Sequence, residues 1–388
     1  RRGNPLPPAD FSLRWEGHIA GRQAHGQVQA NSLDFEPLAN LAEFLPLPSS
    51  TRSRLAAVAP RGSVHEMKFS WTGDLEQPES YSLRGRFSNV NLRAPGGWGS
   101  FEGLSGELSA TKAGGNLHIA SENTGIELPG MLPEGRARFD KLAAQVGWTS
   151  SGGHVEVKFS NLSAANKDGV GVLSGSYSSR SKYPGSPGVL DLTGRFARMD
   201  TRAVYRYIPH LPKVVQDYLK DSILAGEASD GRLRLQGDLR DFPYGDGKSG
   251  QFQVSSRVAN AVFRYAEGWP QLTDVNAELA FDAQRMQITA SRTSVLGVRV
   301  TGAKVQIPDL FNTDAHVLVE GQAEGPSAEF LKFVETSPVS GYIDGATRGI
   351  HASGAGRLQL KLDLPVRRLS QTRVSGVDRK STRLNSSH

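Results

Sequence analysis

Residues 97–110 read GWGSFEGLSGELSA, and about 171 residues later residues 268–281 read GWPQLTDVNAELAF. Trp98 corresponds to Trp269, Glu107-Leu108 to Glu278-Leu279, and Asn89 to Asn260 at the same offset. An internal period constrains a fold more than local propensity does, because each copy must be one structural unit stacked on the next. Three segments share one order: a helical stretch, a proline, a glycine, then an alternating strand. The first is Leu33 to Leu75 and the second Met199 to Leu239. The third opens at Gly325 and leads into GRLQLKLDL, which nearly copies GRLRLQGDL of the second. Gly62 and Gly73-Asp74-Leu75 match Gly226 and Gly237-Asp238-Leu239 at an offset of about 164.

The middle copy is the most explicit. Asp200 is placed to cap a helix start, and Pro209 and Pro212 break the segment. Val215, Leu219 and Ile223 then fall on one face of a second helix with Tyr218 beside them, and Gly226 supplies the stop. Between the helical stretches the pattern has period two: Leu233 and Leu235, Phe252 and Val254, and Leu358 to Leu364 alternate with polar residues. Period two means one apolar face and one wet face. TKAGGN, TSSGGH, NKDGVG and YGDGKSG supply turns between antiparallel neighbours. The fold predicted is mostly β: an elongated, curved antiparallel sheet built from tandem repeats, each with one short helical segment.

Composition closes off other classes. No run of eighteen apolar residues occurs, so no helix spans a membrane. The chain opens on Arg1-Arg2-Gly3 without Met or signal peptide and reads as the interior of a longer protein. Zero cysteines exclude disulfides and thiolate metal sites, and suit an oxidising compartment as well as the cytosol. DRKSTRLNSSH, residues 378–388, reads as a translated sequencing adaptor rather than native protein. Its three basic residues against Asp378 lower the net charge from +6 to +4 once it is set aside, which argues against a nucleic-acid partner.

No catalytic constellation emerges. Asp246-Gly247-Lys248-Ser249 contains the GKS of a phosphate loop, but Phe242 stands where its first glycine belongs, and a hairpin turn explains the stretch better. The histidines are dispersed, with no HExxH, and no GxSxG elbow occurs. Trp98 and Trp269 could touch a ligand or pack ahead of a turn; repetition at matched positions favours packing. No cofactor, metal ligand or catalytic residue is expected. The remaining functional feature is the apolar face, which is either a dry core between stacked sheets or the floor of an open trough. Tandem repetition, and helices too few to cover the sheet, favour the trough.

YIPHLPKVVQDYLKDSILAG, GDLRDFPYGDGKSGQFQV, YAEGWPQLTDVNAELAF, MQITAS, AKVQIPDL and EGPSAEFLKFVETSP together resemble the YhdP family of AsmA-like proteins. The match is strongest from about Leu192 to Ala346 and looser from Asp10 to Asp191. The resemblance implies a taco-like β-groove in the periplasm, part of an inner-membrane-anchored envelope protein whose anchor lies outside this stretch. It implies non-enzymatic phospholipid transport between inner and outer membranes, with acyl chains as partners and both membranes reached through other parts of the protein. The expected groove lining is Leu233, Leu235, Phe252, Val254, Leu279, Phe281, Met286, Ile288, Val298, Val300, Val317, Val319, Leu358 and Leu360, on strands of about eight residues. The competing reading is an envelope assembly factor that binds outer-membrane proteins or glycan-lipid precursors. The expected divisions are the end of a preceding repeat at 1–32, repeats at 33–197 and 198–322, a truncated third at 323–377, and the tail at 378–388.

Overall fold

The computed structural model describes residues 10–17, 23–36, 49–94, 96, 99–312, 314–344, 346–347, 349–365, 373–378 and 384–386. The chain divides into two units, Arg1–Leu192 with Ile208–His210, and Thr193–Tyr207 with Leu211–His388. Both are mostly antiparallel β, as the alternation predicts.

In the first unit β1 (Asp10–Glu16) and β2 (His25–Asp34) precede helix α1 (Ser49–Val58). Seven strands follow: β3 (Arg61–Gly73), β4 (Pro78–Arg93), β5 (Ser100–Thr111), β6 (Gly114–Glu127), β7 (Arg136–Ser151), β8 (His154–Ala165) and β9 (Gly169–Ser178). Each pairs antiparallel with the next in sequence. Strand β10 (Val189–Asp200) carries the chain into the second unit.

There a 3-10 turn (Thr201–Tyr207) and helix α2 (Lys213–Ser222) lead into β11 (Ile223–Asp238), β12 (Gly250–Phe263), β13 (Leu272–Asp282), β14 (Arg285–Val295), β15 (Val298–Ile307) and β16 (His316–Pro326). Helices α3 (Ser327–Thr336) and α4 (Val339–Tyr342) follow, then β17 (Ile350–Ala352), β18 (Ala355–Pro365) and β19 (Arg373–Asp378). Strands β11 to β16 pair in order, and β18 joins β16 and then β19. Strand β20 (Leu384–Ser386) lies in the stretch read as an adaptor tail and pairs with β17. All four Gly/Asn/Asp stretches read as turns fall between strands.

The strands are longer than the sequence suggested. Strands β4, β7 and β11 each run for 16 residues, roughly 50 Å of contour at about 3.3 Å per residue. Mid-strand Asn, Asp and Gly bend these strands without ending them. Asn89 in β4 and Asn260 in β12 have φ of 49° and 52°. At each, the ladder slips by one residue, between Phe87 and Val90 in one unit and between Val258 and Ala261 in the other. Glu66 and Asp230 (φ 51° and 53°) repeat the device on β3 and β11, and Gly103 and Asp274 (φ 72° and 51°) on β5 and β13. A bulge of this kind bends the strand and increases its twist. The copies therefore share backbone conformation at positions where their side chains differ.

In the first unit side chains take up amides at the bends. Asn89 N–H donates to Ser105 Oγ at 2.9 Å, Ser105 N–H to Ser121 Oγ at 2.8 Å, and Gly103 N–H to Asn91 Oδ1 at 2.6 Å. Ser121 Oγ also donates to the Ser105 carbonyl, and Ser291 Oγ makes the matching bond to the Asn276 carbonyl. A bulge strips ladder bonds from the backbone, and a buried orphan amide is costly, so hydroxyls stand beside the bends.

Asp200 accepts from Arg202 N–H at 2.9 Å, as a cap should, but it caps the 3-10 turn. Gly226 does not stop α2, because the extended backbone begins at Ile223. It lies inside β11 at φ 132°, where a Cβ would stand 2.7 Å from the Ala261 side chain. Close approach of two strands, rather than helix termination, requires the glycine.

Candidate functional site

Directly paired residues of a ladder share a face, so the registers place every expected lining residue. Leu233 and Leu235 face Val254 and Phe252, and Val254 faces Phe281. Leu279 and Phe281 face Ile288 and Met286, which in turn face Val305 and Ile307. Val305 faces Val319, and Val300 faces Ala323 on the same side of β16. Val317 and Val319 face Leu364 and Leu362, with Leu358 opposite Ala323 and Leu360 opposite Gly321. Val298 faces Val295 beside the Val300–Thr293 pair. All fourteen residues stand on one face of the second unit. Between β14 and β16 the bulge at Gly302 (φ 58°) keeps Val298 and Val300 on the side of Val305.

Exposure distinguishes a floor from a core. The inner faces of a sandwich are dry. Here thirteen of the fourteen side chains are half-buried. Val298 alone is fully covered, at 2 % exposure, where Gly325 of β16 lies against it. Among the described residues no second sheet packs on this face. Where the two halves of each bent strand meet, side chains are small: Ala228, Ala277 and Ala290 are buried, and Val258, Ala277, Ala290 and Ala303 follow one another across the ladder.

The opposite face is wet and charge-paired. Lys361 Nζ stands 2.9 Å from Glu320 and Arg357 3.0 Å from Glu324. Lys304 opposes Glu320, and Arg299 opposes Glu324. The hydrogen bond from Lys361 lowers the Glu320 carboxyl and raises the lysine in return.

Aromatic side chains edge the apolar face at both rims of the second unit. At the rim carrying α2, the Tyr218 ring meets Phe263 edge-on at 6.4 Å, and its hydroxyl donates to the Tyr265 carbonyl at 3.2 Å. Tyr265 packs on Trp269, and Trp269 on Phe333 of α3, at 5.8 and 5.9 Å. Trp269 is thus a packing residue at the strand edge; Trp98 lies outside the described residues. Burial pushes the Tyr265 phenol up to about 12. At the other rim Phe242, preceding a cis Pro243, touches Phe252 at 5.1 Å and Phe311 at 5.9 Å. Tyr244, 1 % exposed, lies beneath, its phenol raised by burial and by Asp238 and Asp241.

Sequence reasoning missed a second apolar face, on the first unit. Val28 faces Phe69, which faces Leu83. Leu108 faces Leu117, which faces Val146, which faces Phe159. All seven are half-buried. Short alternating runs such as Met67, Phe69 and Trp71 carried the signal that would have revealed them.

The stretch with a GKS is a turn: Asp246 Oδ1 accepts from the backbone N–H groups of Lys248 and Ser249, each at 2.9 Å, and from Ser249 Oγ at 2.7 Å. Those bonds hold the Asp246 carboxyl at about 2. His316 pairs with Asp363 at 2.6 Å. Among the described residues no group of three His, Cys, Asp or Glu could hold a metal ion, and no helix is long and apolar enough to cross a membrane.

The family model described as YhdP protein matches residues 1–381. A curated relative, the intermembrane phospholipid transporter YhdP of Escherichia coli (strain K12), is 23% identical over 396 aligned residues, which cover 94% of this chain and 29% of the relative. The chain therefore spans less than a third of that relative's length. No solved structure matches significantly.

Proposed function

The chain belongs to the YhdP family, and from that premise we propose that it is a non-enzymatic stretch of a phospholipid conduit between the inner and outer membranes, working in the periplasm. The observation that carries this reading is the half-exposed apolar face, with its charges confined to the other side. An acyl chain leaving a membrane loses roughly 0.8 kcal/mol per CH₂. For a chain of about sixteen carbons the barrier in water is on the order of 10 kcal/mol. A floor of Leu, Val, Ile, Phe and Met side chains removes most of it, because the tail exchanges one apolar surface for another. No bond is made or broken, so no general acid, base or nucleotide is required. The repeats bounded at 33–197, 198–322 and 323–377 lengthen the track, and the lining comprises the fourteen residues placed on one face above.

A photo-crosslinking amino acid tests the reading. Placed at Leu235 or Val300 in the full-length protein in cells, it should capture phospholipid; placed at Arg234 or Arg299, one residue away on the wet face, it should not. Equal capture at both parities removes the conduit. Adducts with outer-membrane proteins at all four sites would instead support an assembly role.

A further inference from the structure

Helix α2 keeps part of its apolar surface outside. Its buried residues are Gln216 and Ser222 and Leu219 is half-buried, whereas Val214, Val215 and Tyr218 are 77, 37 and 47 % exposed. These three, at i, i+1 and i+4, form one apolar side. A helix that leaves large apolar side chains outward gives up the burial that would stabilise it. Such a face ordinarily has something lying on it.

The surroundings indicate what. Tyr218 closes one end of this face and packs edge-on against Phe263, which pairs with Ile223 and Leu272 on the apolar side of the sheet. Its hydroxyl is bound to the Tyr265 carbonyl, and burial raises the phenol, so it stays a donor. The exposed face of α2 is thus a continuation of the floor, turned up at the rim. The side facing away carries Lys213, 76 % exposed at its side chain and ion-paired with Asp217. Asp217 and Asp221 border this face on the Val214 side, and no charged residue lies between Val214, Val215 and Tyr218. A protein partner at a surface of this kind would normally find polar anchors among the apolar contacts, whereas an acyl chain needs none.

We propose that α2 is a lip of the trough whose outward apolar face lies against the acyl chain of a phospholipid in the groove. This rests on the conduit reading and deepens it: the tail is laid on the helix at the rim as well as on the sheet. The helix would also be the first apolar surface met by a tail that enters from the side.

The test uses the full-length protein with the photo-crosslinker at Val214, at Lys213 and at Leu235, adducts being identified by mass. The expected result is phospholipid at Leu235 and Val214, with at least about tenfold less at Lys213, the preference expected for burying one valine. Phospholipid at Leu235 with only protein adducts, or none, at Val214 overturns the lip and leaves the conduit standing. Equal capture at Val214 and Lys213 also overturns it, since these two differ in face rather than in exposure. Failure at Leu235 as well removes the conduit itself. As a second measurement, Val214→Asp should keep the thermal midpoint of the parent, because the side chain is exposed, while lowering phospholipid capture at Leu235 severalfold. An unchanged capture there overturns the proposal.

Discussion

At the scale of single residues, the bulge positions are where side-chain identity matters most for shape. Asn260 sits at φ 52°, a conformation that Asn and Gly tolerate and β-branched residues do not. Asn260→Val should lower stability by about 1–2 kcal/mol, and Asn260→Gly should change it by no more than about 0.5, as urea unfolding would report. The matching pair at position 89 should behave alike. Asp246 offers a pH prediction. Its carboxyl is held at about 2 against an ordinary 3.8 by hydrogen bonds from Ser249 and Lys248. A depressed folded value means that the contribution is present above the ordinary value and lost as pH falls from 3.8 towards 2. The Ser249 amide resonance should therefore titrate near 2, and Asp246→Ala should lose that titration and loosen the turn only above that range. The equivalence of Asn89 and Asn260 was legible as an identity between copies. Its conformation was not, because an asparagine within a strand reads as a poor strand former, and only the ladder shows that it bends the strand.

At the scale of the element, a strand here is two half-strands joined by a bend, and one face of both halves is apolar. The alternation of Leu233, Phe252, Met286 and Leu358 predicted which side chains share a face, because period two leaves no freedom once pairing is antiparallel. The phase shift at each bulge hid the true length of the strands. A charge on the floor separates the two faces functionally: Ile288→Asp should lower co-purifying phospholipid by about tenfold or more, since an unpaired carboxylate must be desolvated beneath the tail. Thr289→Asp, on the wet face opposite Lys304, should leave it unchanged. Lipid extraction and mass spectrometry of the two variants checks this. Helix α2 was legible in position and only partly in orientation. Val215, Leu219 and Ile223 read as one face with Tyr218 beside them; Leu219 and Ile223 are half-buried, whereas Val215 and Tyr218 are exposed and the buried side chains are Gln216 and Ser222. The helix pattern alone gives a stripe and cannot say whether sheet or ligand lies against it.

At the scale of the whole chain, each unit is held by nearest-neighbour ladders and by a face left open to one side. Capture driven by apolar area should persist at high salt, which screens charge but strengthens apolar burial. Phospholipid retained by the chain in molar sodium chloride, at no less than the low-salt amount, is the expected outcome; elution by salt would point to headgroup charge as the grip. The correspondences of Gly62 with Gly226 and of Asn89 with Asn260 were legible as sequence matches, and each pair shares a positive φ. From β3 to β9 each strand pairs only with its neighbours in the chain, which has a further consequence. Within that run hairpins can be inserted or removed one pair at a time without retuning the registers of the rest.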